Sequence, residues 1–382
     1  MRFEGLLFAA AVVAAIPSEA RAEDCAAPCL GYAFSSEVQG DWIVWPDNFY
    51  DLQLTADREF YLAATEQVKL VTAITSETVR DGAPGEDRIF EDMGTFVEAL
   101  YAEFDLEPLA VKLGKFEPLQ GWASPELNGI HATDIAGNLD TEERWGVETG
   151  FAFAAAGLDH LLTASLFTTD RTALSESVFT NRGRATLPDG GAGNTEGPSS
   201  LALYLSGCAG AEPEECYSEG DYGYRLGFRY QQAGRATPDQ IAAGIAPDDE
   251  VGIVADAVGS LKIDEDMTLR LLGETAFLRD FEDGDGDALI ATFSAALDRG
   301  PWTYEATYSQ QRNFVSKAEG DSTEHLADVT AIYRFDDAMS FFGETWRAAA
   351  GYSYSFDEEG ETAHTIALKV TVDYAGSVPL GR

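Results

Sequence analysis

Apolar side chains recur at every second position along most of this chain, and the clearest instance is the last strand-like run, residues 365–374. There Ile366, Leu368, Val370, Val372 and Tyr374 share one face, while Lys369, Thr371 and Asp373 share the other. A strand buried on one side is written this way. At least seven other stretches repeat the pattern, several with aromatic residues at the ends of the apolar face and charges opposite. Spread over a whole chain, the pattern implies a wall with lipid outside and water inside. Backbone polar groups in lipid tolerate no open sheet edge, so such a wall must close on itself. The fold expected is all-β, a transmembrane antiparallel β-barrel.

The N-terminus points to export. Arg2 precedes an apolar run over residues 6–16, then come Pro17 and the small-residue site Ala20-Arg21-Ala22. Residues 1–22 therefore read as a signal peptide and 23–382 as the barrel. No later run is long and apolar enough for a spanning helix. Net charge is −41, from 66 acidic and 25 basic residues, which makes nucleic acid an unsuitable partner. Acidity with little apolar content would favour disorder, but 45% of the residues are hydrophobic and 11% aromatic, enough to order a large β structure. The surroundings expected are lipid and lipopolysaccharide of a Gram-negative outer membrane, and a homotrimer is compatible because its contacts would share the apolar face. The four cysteines fall in two local pairs, Cys25 with Cys29 and Cys208 with Cys216, each read as a small disulfide loop in an oxidising compartment.

Strand-like runs cover approximately 361–374, 338–354, 322–335, 302–311, 288–297, 267–279, 250–261 and 221–231. Tight turns (335–337, 298–300, 262–266) alternate with Gly- or acid-rich loops (356–360, 316–321, 280–287, 232–249). Short periplasmic turns and longer outer loops are the asymmetry of an outer-membrane barrel. Earlier in the chain, 143–153 with 158–169 and 96–103 with 106–116 read as hairpins, and 67–79, 49–65 and 31–39 as fainter strands. The tally is about sixteen strands, with fourteen or eighteen also compatible, at about 22 residues each over the 360 that remain (382 − 22). The tail from residue 375 onward departs from the barrel pattern, leaving Tyr374 as the terminal aromatic.

Parity assigns the faces. In 221–231, Tyr222, Tyr224, Leu226, Phe228 and Tyr230 point one way and Arg225 and Arg229 the other. Arginine at the lipid midplane costs about 2–4 kcal/mol, so both arginines are assigned to the lumen. The same parity sends Asp256, Arg270, Glu274, Glu305, Asp328, Arg334, Arg347, Lys369 and Asp373 inward. A lumen lined by both signs of charge is wet.

One segment rises above periodicity. Leu113-Gly114-Lys115-Phe116-Glu117-Pro118 leads to Gly129-Ile130-His131-Ala132-Thr133-Asp134 and then to Thr141-Glu142-Glu143-Arg144-Trp145-Gly146. This resembles the "G-K/R-F-x-P … G-I-x-G-T-D … E-R-x-G" run of porin-like outer-membrane proteins of proteobacteria, with Ala132 where that run has glycine. The resemblance implies a passive pore. Counted from the C-terminus, residues 117–142 connect the fifth and sixth strands, the connection that in general porins folds inward. Glu126, His131, Asp134, Asp140 and Glu142 would then stand at a constriction, and an acidic ring favours cations.

Enzymatic constellations are thin. His131, His160, His325 and His364 lie far apart, and none sits in an H-E-x-x-H or G-x-S-x-G context. No enzymatic activity and no cofactor are expected. Asp283, Asp285 and Asp287 have the oxygen spacing of a calcium loop, but Ala288 and Ser294 replace its glycine and glutamate, leaving at most a weak divalent-cation site. The function expected is a diffusion porin for small hydrophilic solutes or ions, preferring cations. A barrel specific for an anionic or chelated ligand, such as phosphate or a siderophore, is the alternative, and a non-conducting adhesin or scaffold is a third.

Overall fold

Each long strand hydrogen-bonds to its neighbours in sequence, and the last returns to the first. The structure is a computed structural model that describes residues 26–380 apart from 47, 81, 83–84, 142, 219, 244–245, 282–285, 315–320, 336–343 and 358–359. Its sheet has 18 strands, of which two are two-residue pieces, Arg88–Ile89 and Val178–Phe179; the remaining 16 (18 − 2) form the barrel. They are β1 (Cys29–Trp45), β2 (Phe49–Thr65), β3 (Val68–Thr78), β4 (Met93–Leu106), β5 (Leu109–Phe116), β6 (Arg144–Ala155), β7 (Leu158–Thr169) and β8 (Ser200–Ala209) in the first half. The second half comprises β9 (Tyr222–Gln231), β10 (Glu250–Lys262), β11 (Met267–Asp280), β12 (Gly286–Arg299), β13 (Trp302–Phe314), β14 (Ser322–Arg334), β15 (Thr345–Phe356) and β16 (Thr362–Pro379). β16 pairs antiparallel with β1 from Cys29↔Pro379 to Ile43↔Thr365, which closes the ring.

Three differences from the sequence reading have physical causes. β8 was not anticipated, because its inward residues Ala202 and Tyr204 are as apolar as its outward Leu201 and Leu203, so no alternation marks it. β16 continues through residues 375–379, where Ala375 and Gly376 pair with Ala33 and Tyr32; the tail is strand because β1 offers it a partner. The tight turn expected at 335–337 falls mostly outside the described residues, and β15 begins at Thr345 rather than 338. The export segment, residues 1–22, also lies outside them, as does Cys25 of the first cysteine pair.

The outer surface is the apolar one. Leu201, Leu203, Leu226, Phe228, Ile253, Phe277, Phe293, Val329 and Ile366 are all exposed there. Near the strand ends lie aromatic clusters such as Trp42 on Tyr50 (ring centroids 5.8 Å) and Trp302 on Tyr304 (5.9 Å), the amphipathic girdle of a membrane barrel. In β16 the parity is direct: Leu368 is 63% exposed and Val370 43%, against 8% for Thr371 and 2% for Asp373.

The core lies inside the ring. Ile135 and Leu139 from the β5–β6 connection pack with Phe167, Tyr204, Val254, Leu278, Ile290 and Leu326 from the inner faces of the wall. A second cluster joins Trp122, Leu127 and Ala136 of that connection to Val258, Leu272 and the Cys208–Cys216 disulfide. Part of the lumen is thus a packed interior.

Replacing Leu368 or Val370 with arginine is expected to impair assembly by about 2–4 kcal/mol, whereas Thr371→Arg, opposite Glu37, is tolerated. Heat-modifiable electrophoretic mobility after refolding into liposomes measures this; equal effects from both kinds of change would refute the face assignment.

Candidate functional site

The connection between β5 and β6, residues 117–143, turns into the barrel and crosses its wall from β9 to β14. It carries a short helix, Ala123–Glu126, and a 3₁₀ turn, Ala136–Leu139. Neither segment is long enough to be stable by itself, so position comes from contacts with the wall.

Those contacts use the inward charges. Glu274 accepts from the Ala123 N–H at 2.7 Å, and Glu305 accepts from Asn128 N–H at 3.1 Å and Gly129 N–H at 3.0 Å. Asp328 accepts from His131 N–H at 3.4 Å, and Thr330 Oγ1 from Ile130 N–H at 3.1 Å. Arg225 donates to the carbonyls of Gln120 and Gly121 at 3.0 and 2.9 Å and lies 4.6 Å over the Trp122 ring. Arg229 donates to Leu139 O at 2.5 Å and pairs with Glu250 at 2.8 Å. Carboxylates bind the orphan N–H groups of the loop and guanidinium groups its orphan carbonyls, so the irregular backbone is satisfied without regular structure. At Gly129 the approach is so close that a Cβ would stand 2.5 Å from Asp328 Oδ1.

The assigned luminal residues therefore differ in whether the loop covers them. Arg225, Arg229, Asp256, Glu274, Glu305 and Asp328 face inward but are buried beneath the loop, with Asp256 in register between Arg225 and Glu274. Arg270 pairs with Asp298 at 2.7 Å, Arg347 with Asp373 at 2.7 Å, and Lys369 with Glu37 at 3.1 Å. Arg334 is exposed at the end of β14, opposite Arg347.

On the loop, Asp134 keeps 55% of its side chain exposed and Glu126 is half-buried. Asp140 accepts from Ser124 Oγ at 2.5 Å. His131 reaches Asp134 through Nδ1 and Asp41 of β1 through Nε2, both at 3.2 Å. Burial pulls the His131 pKa down, but the hydrogen bonds and charges of Asp134 and Asp41 outweigh burial and raise it from 6.5 to about 10. The imidazolium is thus a charged clasp between the loop tip and β1. Glu142 lies outside the described residues, as do Asp283 and Asp285. Among the described residues no cluster of three or more His, Cys, Asp or Glu could hold a metal ion.

Sequence reasoning quoted Lys115, Glu143 and their motif but gave them no role. Lys115 Nζ, fully buried, donates to Glu143 at 2.9 Å, Ser175 Oγ at 2.9 Å and Val97 O at 2.6 Å, and pairs with Asp170 at 2.9 Å. Glu143 also binds Arg182, whose guanidinium lies 3.3 Å over Phe96. The first and last pieces of the motif therefore meet, stapling the two ends of the inward loop to each other and to the following connection, residues 170–199. Gly114 enters this staple at φ +143°, and a Cβ there would stand 2.3 Å from Leu100 O. The signal that could have revealed the staple was the motif's oppositely charged ends.

Where the loop does not reach, a cavity of about 940 Å³ runs along β1–β7 and β15–β16. Its acidic lining residues are Asp57, Glu59, Glu66, Glu98, Glu103, Asp105, Glu148, Glu214 and Asp373, nine carboxylates against the four basic residues Arg58, Lys69, Lys112 and Arg347, of which Arg58 directs its side chain to the outer face. Two of the four bases are paired, Lys112 with Glu148 and Arg347 with Asp373.

No protein-family model matches this chain, and no curated protein matches it in sequence. Solved outer-membrane proteins nevertheless share its fold. The outer-membrane channel DcaP of Acinetobacter baumannii aligns with a TM-score of 0.54 at 11% identity, over 95% of this chain and 100% of that one. OprB of Pseudomonas putida aligns at 0.54 and 12%, over 92% and 93%. OmpF of Salmonella typhi aligns at 0.54 and 12%, over 90% and 97%. The fold is thus the closed antiparallel barrel of outer-membrane porins.

Lys115→Met is expected to cost about 3–5 kcal/mol, because it leaves the fully buried Asp170 carboxylate without its cation and Glu143 with Arg182 alone. The loop should loosen, seen as a lower unfolding midpoint together with noisier open-channel current in planar bilayers. A variant with wild-type stability and wild-type current would show that the staple does not hold the loop.

Proposed function

We propose that the protein is an outer-membrane diffusion channel that prefers cations. The observation that carries this reading is the acid excess of the open passage, nine carboxylates to four basic residues along a cavity of about 940 Å³. Low-dielectric walls strengthen a one-sided charge distribution and concentrate counter-ions within it. Asp134, Glu126 and Asp140 add negative charge from the loop side. The inward arginines of β9, Arg225 and Arg229, are buried and bonded to loop carbonyls, so they are withdrawn from the passing solute. Solutes would move down their own gradient through water, without a cofactor or a chemical step.

One observation favours the anion-specific alternative. A second cavity of about 400 Å³ is lined by Arg80, Arg88 and Arg182 together with Gln53 and Glu77. Its arginines are engaged, Arg88 with Asp51, Arg182 with Glu143 and Arg80 with the Asn181 carbonyl, which lowers the field left for an anion.

Reversal potential in a salt gradient across a planar bilayer decides between the two. Joint replacement of Glu126, Asp134 and Asp140 by the neutral amides is expected to lower the cation-to-anion permeability ratio. High salt should partly mimic it, since screening shortens to about 3 Å at 1 M. An anion-selective wild type would overturn the cation reading, and an unchanged ratio in the variant would remove these three residues from the selective path.

Homotrimeric assembly through β1–β4 belongs to the same reading. Arg58, midway along β2, falls in register with Phe34 and Ile74, on the outward side, and donates to Ser76 Oγ at 2.8 Å. Ser36, Ala56, Ser76 and Thr95 form a row of small, mostly polar residues across the same face. Such a patch is costly against lipid and suits contact with another copy. Chemical cross-linking of the native barrel should give a trimer that Arg58→Glu dissociates; a wild type that remains at the mass of a single mature chain would exclude it.

A further inference from the structure

We infer that the disulfide-closed turn between β8 and β9 is a second constriction element, which supports the inward loop from the periplasmic side and presents Glu214 to permeating cations. This rests on the channel reading above. Four connections at this end of the barrel have only two residues, 66–67, 107–108, 156–157 and 300–301, whereas the β8–β9 connection spans twelve, residues 210–221. The extra length does not hang below the barrel. Cys208 shares the inward parity of Tyr204 and Ser206 and is fully buried, and its bond to Cys216 draws the turn into the lumen. Cys216 and Tyr217 are 1% and 2% exposed, and they pack in one cluster with Trp122, Leu127 and Leu272. The Arg270 guanidinium covers the Tyr217 ring at 4.8 Å. Gly223 leaves room for the bridge, since a Cβ there would stand 2.3 Å from Cys216 Sγ.

The remainder of the turn faces the passage. The helical turn Pro213–Glu215 contacts both β7 and β8, and Glu214 is exposed on the lining of the 940 Å³ cavity. Lys112 and Glu148, elsewhere on that lining, neutralise one another at 3.1 Å. Glu214, exposed on the turn, adds a negative charge to the passage, and a covalently closed turn holds that charge at a defined place. A carboxylate on an open, mobile turn would spread its field over many positions.

Single-channel conductance and reversal potential in a KCl gradient test the inference on the full-length barrel. Glu214→Gln should lower the K⁺/Cl⁻ permeability ratio about tenfold, because one unit charge some 6 Å from an ion in water favours K⁺ about threefold and disfavours Cl⁻ about threefold. The double variant Cys208→Ser/Cys216→Ser, and separately Tyr217→Ala, should raise conductance while the barrel keeps its folded electrophoretic mobility. Wild-type selectivity in Glu214→Gln, together with wild-type conductance in the folded disulfide-free barrel, would overturn the inference and leave the channel reading standing. A wild type that conducts no ions would instead refute the channel reading, and this inference with it.

Discussion

Everything in this molecule depends on the pairing of β16 with β1. A strand in hydrocarbon must give every N–H and C=O a partner, and a sheet does so only when its last edge meets its first. The register from Cys29↔Pro379 to Ile43↔Thr365 supplies that closure, and it recruits the final residues as strand although their sequence has lost the alternation. Once the ring is closed, the lipid and the lumen are set by parity alone, and every inward residue shares one enclosed space.

That enclosed space is then divided. The segment after β5 enters it and is held by carboxylates bound to its N–H groups and by arginines bound to its carbonyls. Burying such charges is costly unless each is paired, and the mutual fit of Glu274, Glu305, Asp328, Arg225 and Arg229 with the loop backbone offsets the lost hydration. Apolar residues of loop and wall, Leu139 against Leu278 and Trp122 against Leu272, fill the gaps between these bonds. The result is a partly filled barrel whose passage lies against β1–β7 and β15–β16.

The division also sorts the charges by role. Inward arginines of β9 lose their access to water, while carboxylates of β2 and β4 retain it. A chain with luminal charge of both signs thereby presents a mainly acidic surface to solute. The staple of Lys115, Glu143, Asp170 and Arg182 maintains this arrangement by fixing where the loop leaves the wall and where it returns.

Much of this could be read from residues alone. Alternation such as Leu368-Lys369-Val370 identifies strands and their faces, because a barrel wall has only two sides and the side-chain period is two. Contrasting turn lengths indicate the number of strands and place residues 117–142 between the fifth and sixth. Two cysteines separated by eight residues in an exported chain point to the Cys208–Cys216 bridge that is present. β8 escaped notice because a luminal Tyr204, hydrogen-bonded to Gln120 of the loop, looks as apolar as a lipid-facing residue. Parity could place Arg225 and Asp57 on the same inner face, but it could not tell that one is covered and the other open. The tertiary structure decided that, because the route of an irregular loop follows from long-range contacts with many strands of the wall, and only that route determines which inward charges keep their water.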